Sequence, residues 1–191
     1  SYITGTTAGA VISVGTLSTT GTAGQFSMST VQSANTFYVG QVVTLSDSGG
    51  ATSQITSPSY TSGNAYVVTA TNGTSTLTLA QMVNGVQTPL VTTVGATVNI
   101  VLTTASTFQV GTLQGFSPSA KVVTASTIGG ITAGTYYVIA STSRGVVLSD
   151  TYAGYFNPTS SRIQQATTAT GGKSYTATAS QYLVIAVSGS G

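Results

Sequence analysis

Short runs of apolar and β-branched residues recur along the whole chain, separated by polar and glycine-rich stretches. The runs are rich in Val, Ile, Thr and Tyr and are bounded by Gly, Ser, Asn and Pro, which is typical of β-strands. Thr76–Leu79 alternates polar and apolar residues, as in a strand with one buried and one solvated face. The pattern predicts strands at Ala10–Val14, Gln25–Ser29, Gln41–Ser46, Ala65–Ala70, Ser75–Ala80, Val98–Thr103, Thr107–Leu113, Lys121–Ala125, Thr135–Ser141, Gly145–Ser149, Arg162–Ala166 and Tyr182–Ser188.

Helical patterns are poor throughout. No segment repeats apolar residues at helical spacing, and the poor helix formers Gly and Thr are abundant. Strands that follow one another without intervening helices favour antiparallel sandwiches or small barrels over parallel α/β sheets. The predicted fold is therefore all-β, with short antiparallel strands forming two related β-sandwich or meander modules.

Turn residues lie between the predicted strands. Asn72-Gly73 separates two of them, and both residue types tolerate the positive φ that a tight hairpin needs. Asn84-Gly85 and Asp47–Gly50 are predicted to be similar turns, and Ser143–Gly145 takes the corresponding place in the second half of the chain. Asn72-Gly73-Thr74 is also a formal glycosylation sequon, but the hairpin is a sufficient explanation.

The strand-and-turn pattern occurs twice. VVTLSDSGG (Val42–Gly50) and AYVVTATNGTSTLTL (Ala65–Leu79) match VVTASTIGG (Val122–Gly130) and YYVIASTSRGVVL (Tyr136–Leu148). The matched positions are Val42–Thr44 with Val122–Thr124, Gly49-Gly50 with Gly129-Gly130, Tyr66 with Tyr137, and Leu79 with Leu148. Each copy predicts a three-stranded meander, and the two copies predict a β module at 1–115 and a second at 116–191 with a C-terminal strand. Chance similarity in a background rich in Thr, Ser, Gly and Val is the alternative.

These segments resemble a known type of repeat module. GQFSMSTVQSANTFYVGQVVTLSDSGG (Gly24–Gly50), the Ala65–Ala80 segment and a closing VTTVGAT are similar to β-rich repeat modules of large virion proteins of marine tailed phages, including cyanophages. GGITAGTYYVIASTSRGVVLSD (Gly129–Asp150) is similar to a companion form. The resemblance spans Gly24–Asp150, about two-thirds of the chain. It departs from the family pattern at Leu77, where an aromatic residue is common, and at Asp47, where Gly is usual.

The resemblance implies a structural virion component, such as a fibre, a baseplate-associated protein or a decoration protein. Such a protein is assembled in the host cytoplasm and functions extracellularly as part of the virion. The family pattern is structural, so the resemblance carries no catalytic residues over to this chain.

The scarcity of charge limits the possible functions. Charged residues make up 3% of the 191 residues, and the net charge is +2, whereas about 25% is usual for a soluble domain. The longest apolar run, Tyr182–Val187, is too short to span a bilayer. Four scattered cations do not form a phosphate-binding surface, so nucleic-acid binding is not expected. With 40% apolar residues the chain is expected to fold, and its low charge favours packing against other copies of itself.

Catalytic chemistry has few candidate residues. The chain has no His and no Cys, which excludes the usual Ser-His-Asp and Cys-His systems. A Ser–Lys pair through Lys121 or Lys173 remains formally possible. Ala166–Ser174 approaches the phosphate-loop spacing but has Thr167 where Gly is required. Lys173 is therefore interpreted as a solvated loop cation.

The two carboxylates, Asp47 and Asp150, both follow Leu-Ser in turn-like positions. A glycosidase uses two carboxylates, but Asp in a turn usually bonds its own backbone. Calcium needs six to eight oxygen ligands, which two aspartates supply poorly. We therefore predict no catalytic, cofactor-binding or metal-binding residues, no cofactor and no enzymatic activity.

Tyrosine is the abundant functional-looking residue, with ten copies. Tyr136, Tyr137, Tyr152, Tyr155 and Phe156 cluster in the second half. Such residues fill cores, pack between subunits or stack on sugar rings. The sequence alone leaves these three roles open.

The sequence-based hypothesis is a non-enzymatic virion structural protein that assembles with itself and with other virion proteins through uncharged β-rich interfaces. One alternative is a carbohydrate- or cell-surface-binding module, with a glycan bound near Tyr152–Phe156. Another is a subunit of an extracellular prokaryotic filament, in which Tyr182–Ser188 is the candidate donor strand.

Overall fold

The computed structural model describes residues 3–47, 55–60, 64–83, 86–93, 97–98, 100–111, 116–118, 120–124, 129–150, 163 and 182–185. Within these residues the chain forms seventeen β-strands and no helix, and every strand pair is antiparallel. The predicted all-β antiparallel fold is confirmed. The strands are β1 (Ile3–Thr7), β2 (Val11–Ile12), β3 (Leu17–Thr19), β4 (Gln25–Met28), β5 (Val42–Asp47), β6 (Ile55–Ser57), β7 (Ala65–Thr71), β8 (Thr76–Val83), β9 (Val86–Pro89), β10 (Val91–Thr92), β11 (Thr97–Val98), β12 (Ile100–Thr104), β13 (Thr107–Val110), β14 (Lys121–Thr124), β15 (Gly134–Thr142), β16 (Gly145–Ser149) and β17 (Tyr182–Ile185).

The larger sheet closes into a barrel. Its strands follow the order β11-β3-β4-β8-β7-β5-β12-β2, and β9 pairs with β8 outside this path. β11 and β12 are separated by one residue, so segment 97–104 pairs with segment 11–19 on one side and with β5 on the other. The opposed residues of the closing ladder are Thr97 with Ser18, Val98 with Leu17, Leu102 with Ile12 and Thr103 with Val11. The path therefore returns to its start, and the barrel has six strand positions: β2/β3, β4, β8, β7, β5 and β11/β12.

The barrel interior holds the first hydrophobic core. In β8, Leu77 and Leu79 are buried in it while Thr76 and Thr78 are only half-buried, as the alternating pattern predicts. The cluster comprises Val14, Leu17, Phe26, Met28, Phe37, Val43, Leu45, Ile55, Tyr66, Val68, Leu77, Leu79, Leu90 and Leu102.

The second sheet has six strands in the order β1-β13-β16-β15-β14-β17. One of its faces covers a second core. This core comprises Ile3, Phe108, Phe116, Ala120, Val122, Ile131, Tyr136, Val138, Val146 and Leu148. A separate two-stranded ladder joins β6 to β10.

The two sheets share one strand order. In the barrel, the meander β5–β7–β8 has β4 beside β8 and β12 beside β5. In the second sheet, the meander β14–β15–β16 has β13 beside β16 and β17 beside β14. A meander with a later strand that returns beside its first strand is a Greek key. Both predicted meanders are therefore present, each within the same Greek-key arrangement.

The register corrects the residue match between the two copies. Val43 lies opposite Tyr66, and Val122 lies opposite Tyr136. The counterpart of Tyr66 is therefore Tyr136, and the predicted match with Tyr137 was wrong by one residue, as was the match of 42–44 with 122–124. Because successive side chains point to opposite faces, one residue decides burial: Tyr66 and Tyr136 are buried, whereas Tyr137 is half-exposed.

A register shift occurs at the same point of each copy. It falls between Val68 and Ala70 in β7 and between Val138 and Ala140 in β15. Just before it, Val68 lies opposite Leu79 and Val138 lies opposite Leu148. The predicted match of Leu79 with Leu148 is therefore confirmed.

Sheet membership does not follow the predicted division at residue 115. β1 and β13 both lie within 1–115, yet they pair in the second sheet, where β13 joins β16. Along the sequence, the barrel strands, which run from β2 to β12, therefore come between β1 and β13 of the second sheet. The sequence offered no signal for this arrangement because β1 is a short threonine-rich strand whose partner is about 100 residues away in the chain.

A third apolar cluster joins the two sheets. It takes Val42 and Val67 from the barrel and Ile139 and Val147 from the second sheet, together with Ala65, Ala105, Ala140 and Ile163. β7 and β16 are consequently buried on both faces, which explains their unbroken apolar runs.

Close approach between the sheets also depends on one glycine. Gly40 has φ +86°, and a Cβ added to it would lie 2.5 Å from Cγ2 of Thr142, which ends β15. A larger residue at this position would therefore strain the backbone and would require the Thr142 side chain to move.

The Asn72 hairpin forms as predicted. The Asn72 side-chain oxygen accepts hydrogen bonds from the backbone N–H groups of Thr74, Ser75 and Thr76, at 3.0, 2.8 and 3.0 Å. Gly73 has φ +86°. The Asn84-Gly85 turn and residues 48–50 lie outside the described residues.

Candidate functional site

A cleft of about 370 Å³ lies where the barrel meets the second sheet. Its walls come from the loop before β5, which supplies Thr36, Tyr38 and Gln41, and from the β15–β16 turn, which supplies Arg144. Thr7, Ala8, Thr104, Ala105 and Thr107 complete it. We call it the junction cleft. It arises because the chain crosses between the two sheets at residues 8–10 and again at 105–106.

Arg144 is the charged group of the junction cleft. Its guanidinium carbon lies 4.0 Å from the ring centroid of Tyr38, a cation–π contact. Its Nη1 also donates to the backbone carbonyl of Asn35 at 3.4 Å. Burial raises the pKa of Tyr38, and the nearby positive charge of Arg144 partly opposes that rise. The pair thus joins the β15–β16 turn to the barrel loop, and Arg144 as a whole remains exposed.

Gln41 holds the barrel side of the junction cleft in place. Its side-chain nitrogen donates to the carbonyl of Thr36 at 3.3 Å, and its side-chain oxygen accepts from the N–H of Tyr38 at 3.4 Å. Backbone bonds tie the same loop to β7, since Gly40 N–H donates to Val68 and Val68 N–H donates to Gln41, each at 2.8 Å. These hydrogen bonds hold the loop against the barrel.

The chemistry of the junction cleft is that of hydroxyls, one amide and one guanidinium. These groups form hydrogen bonds, and Arg144 attracts anions. Such a surface suits a polar small molecule, a sugar or a segment of another protein chain.

The two aspartates of the sequence analysis lie in different sheets. Asp47 ends β5 in the barrel, with its Cα opposite Ile100. Asp150 follows β16 and is exposed. Within the described residues no group of three or more potential metal-ligating side chains is found.

The remaining predicted candidates are dispersed. Lys121 is half-buried on β14. Arg162, Lys173 and the whole Ala166–Ser174 segment lie outside the described residues, as do Tyr152, Tyr155 and Phe156. Tyr136 serves the second core, and its hydroxyl donates to the Thr132 carbonyl at 2.7 Å.

Several large apolar side chains face solvent. They are Val11, Val31, Val39, Val86 and Val91, exposed by 51–70%. They lie on strands and loops of the barrel half of the molecule. These valines are candidates for burial against neighbouring molecules.

A stacked tyrosine pair joins the barrel core to the segment after β6, with Tyr66 buried in the core and Tyr60 half-buried against it. The rings of Tyr60 and Tyr66 are 6.5 Å apart between centroids and inclined by 5°. The Tyr60 hydroxyl donates to the Leu45 carbonyl at 2.6 Å. Three buried polar atoms have no hydrogen-bond partner among the described residues: Tyr66 OH, Asn64 Oδ1 and Gln81 Oε1. Gln81 lies opposite Tyr66 in the β7–β8 ladder.

Comparison of the chain with protein-family models, curated proteins and solved structures found no match. In the part of the chain that the structure describes, no helix is long and apolar enough to cross a membrane.

Sequence reasoning missed the Tyr38–Arg144 pair and the junction cleft. The two residues are far apart in the chain, and Ser143–Gly145 indicated only a turn. The signal that could have indicated the site was Arg144 itself, a cation in a predicted turn of a chain that has almost no charge.

Proposed function

We propose that this chain is a non-enzymatic structural subunit that assembles with copies of itself, and that it forms part of a tailed-phage virion as a fibre, decoration or appendage protein. The observation that carries the assembly proposal is the set of exposed valines on a chain with only six charged side chains. Burying such a surface removes apolar area from water while desolvating few ions, and an unpaired ion is the costly group to bury.

The fold supports the same role. Two Greek-key units share one apolar cluster, so the molecule is a firm β-rich block. The virion assignment rests on the sequence resemblance of Gly24–Asp150 to repeat modules of phage structural proteins. The protein would be incorporated into the virion in the host cytoplasm. It would then function outside the cell as part of that virion.

Assembly is tested by sedimentation equilibrium over a range of protein concentrations. We expect a discrete oligomer or a polymer. A monomer at every concentration would contradict the proposal. Antibodies raised against the chain should label purified virions of the source phage at a defined position, and virions without label would contradict the virion assignment.

The junction cleft favours a second candidate function, which is glycan binding. Its hydroxyl and amide groups match the hydrogen-bonding groups of sugars, and Arg144 would favour an acidic sugar. A glycan array probed with the intact protein and with Arg144→Ala tests this function. We expect binding of acidic glycans that the substitution abolishes, whereas equal binding by both proteins would contradict a role for the cleft.

A further inference from the structure

The charged side chain of the junction cleft is held in place from several sides. The backbone N–H of Arg144 donates to Thr142 Oγ1 at 3.2 Å, and its backbone carbonyl accepts from Gln109 Nε2 at 3.4 Å. The Tyr38 ring lies against one face of the guanidinium, and Nη1 donates to the Asn35 carbonyl. The turn and the side chain are therefore positioned before a ligand binds, which lowers the entropic cost of binding.

One edge of the Arg144 guanidinium is available to a ligand. Within the part of the chain that the structure describes, Nε and Nη2 make no hydrogen bond. Their two N–H groups are parallel and match the two oxygens of a carboxylate. Among the described residues that line the cleft, Arg144 is the one cation. A carboxylate brings one negative charge to it, whereas a phosphate monoester brings about −1.5 to −2, so the cleft suits a carboxylate better.

Two threonine hydroxyls of the cleft are available for the rest of the ligand. Thr7 Oγ1 accepts from Gln109 Nε2 at 2.7 Å and keeps its own O–H to donate. The Thr107 hydroxyl makes no hydrogen bond to another described residue. The side chains of Gln41 and Thr104, in contrast, already bond to the backbone. A carboxylate with hydroxyl groups close to it is the pattern of an acidic sugar.

The dimensions of the junction cleft agree with such a ligand. Its volume of about 370 Å³ lies near the lower end of the range for small-molecule sites, roughly 300–1,000 Å³. Ala8 and Ala105 are the small residues of the lining and leave the space between the two sheets open. A sugar residue therefore suits the cleft better than a larger ligand does.

We propose that the junction cleft binds the carboxylate of a hexuronic or sialic acid, with Arg144 as the residue that binds the carboxylate and Tyr38 as the residue that positions Arg144. Thr7 and Thr107 bind hydroxyl groups of the same sugar. This inference rests on the glycan binding proposed for the cleft, and it specifies the class of sugar and the group that is recognised.

Matched sugars test the carboxylate directly. Saturation-transfer difference NMR with the intact protein measures the binding of D-glucuronate against D-glucose, and of N-acetylneuraminate against its methyl ester. The members of each pair differ in the carboxylate. We expect one or both acids to bind and their uncharged counterparts to bind about tenfold more weakly or less, because the charge-assisted hydrogen bonds to Arg144 are lost. The two pairs show which acidic sugar the cleft prefers.

Variants of the protein test the two roles. Arg144→Lys keeps the charge but loses the planar fork, so affinity for the acid should fall about tenfold. Tyr38→Leu removes the ring beside the guanidinium, and affinity should fall about two- to fivefold. Tyr38→Phe keeps the ring and should bind as the natural chain does. Lys121→Gln removes a cation on β14, outside the cleft lining, and is the control for net charge. Thermal melts check that each variant is folded.

The outcomes separate this inference from the proposed glycan binding. Equal binding of each acid and its uncharged counterpart, or a glycan array that favours sulfated over carboxylated sugars, overturns the carboxylate site and leaves glycan binding standing. Acid binding that is unchanged in Arg144→Lys overturns the bidentate contact. Equal affinities of Tyr38→Leu and Tyr38→Phe overturn the positioning role of Tyr38. If no glycan binds in either experiment, both this inference and the glycan-binding function are wrong.

Discussion

The hydroxyl of Tyr66 is buried inside the barrel without a hydrogen-bond partner among the described residues. The residue is 0% exposed, and the Asn64 side chain nearby makes a polar contact that falls short of hydrogen-bond geometry. An unsatisfied buried polar group costs about 1–3 kcal/mol. Tyr66→Phe removes that group and keeps the ring stacked on Tyr60. We therefore expect it to raise the free energy of unfolding by about 1 kcal/mol, after allowing for the small void left behind.

Tyr60→Phe is the matched control, because the same atom is removed with the opposite result. The Tyr60 hydroxyl donates to the Leu45 carbonyl at 2.6 Å. Loss of this bond is expected to lower the free energy of unfolding by about 1 kcal/mol. Chemical denaturation monitored by circular dichroism, at equal protein concentration for each variant, measures both changes. In thermal melts, 1 kcal/mol corresponds to a shift of about 2–4 °C for a chain of this size.

The same residue predicts a dependence on alkaline pH. Burial raises the pKa of Tyr66 above its ordinary value of 10.0. Below that value the hydroxyl is protonated in the folded and the unfolded chain, and the contribution to stability is fully present. Above it, the unfolded chain loses the proton first, so this residue lowers stability by up to about 1.4 kcal/mol per pH unit. Tyr66→Phe removes this loss, and its advantage over the natural chain should widen as pH rises.

The opposite result would refute the reasoning. If Tyr66→Phe lowered stability by as much as Tyr60→Phe, the Tyr66 hydroxyl would have a partner in the folded protein. If its advantage did not change above pH 10, the hydroxyl would not be held in a protected, buried site.

Three further predictions follow from the junction, the hairpin and the charged contact. Gly40→Ala should lower stability by about 1–3 kcal/mol, because it strains a positive φ and drives a Cβ to 2.5 Å from Thr142; Gly21→Ala, with nothing within 4 Å of the added Cβ, should not, and equal thermal shifts would contradict this. Asn72→Ala should lower the free energy of unfolding by about 1–2 kcal/mol, because the Asn72 side-chain oxygen accepts hydrogen bonds from three backbone N–H groups. Denaturant titration measures this change, and an unchanged midpoint would count against it. Arg144→Ala should raise the pKa of Tyr38, because it removes the positive charge that partly opposes the effect of burial; ultraviolet titration measures the shift, and a lowered pKa would contradict this prediction.

The local pattern was a good guide to strands and a poor guide to the edges of the fold. Eleven of the twelve predicted strands contain strand residues, and the twelfth is described only at Ile163, which forms a bridge. The missed strands are β1, β3, β6, β9 and β10, which have two to five residues each. Such short segments contain too few apolar residues to show a strand pattern in the sequence. They form strands because a neighbouring strand is available to pair with them.

The repeat was found but its register was not. The sequence matched Tyr66 with Tyr137 because the string Tyr-Val suggests it, whereas the ladders match Tyr66 with Tyr136. Two short segments can still look alike when they are aligned one residue out of register. In a strand, however, a shift of one residue moves each side chain to the opposite face.

The amino-acid sequence by itself determined the fold class, the two meanders and the Asn72 turn, because side-chain alternation and turn residues act over a few neighbouring positions. Only the tertiary structure decided that 97–104 closes a barrel against 11–19, that β1 joins the second sheet, and that Tyr38 meets Arg144. These contacts join residues far apart in the chain. They depend on how the two units fit together over the cluster of Val42, Val67 and Val147, and no local pattern encodes that fit.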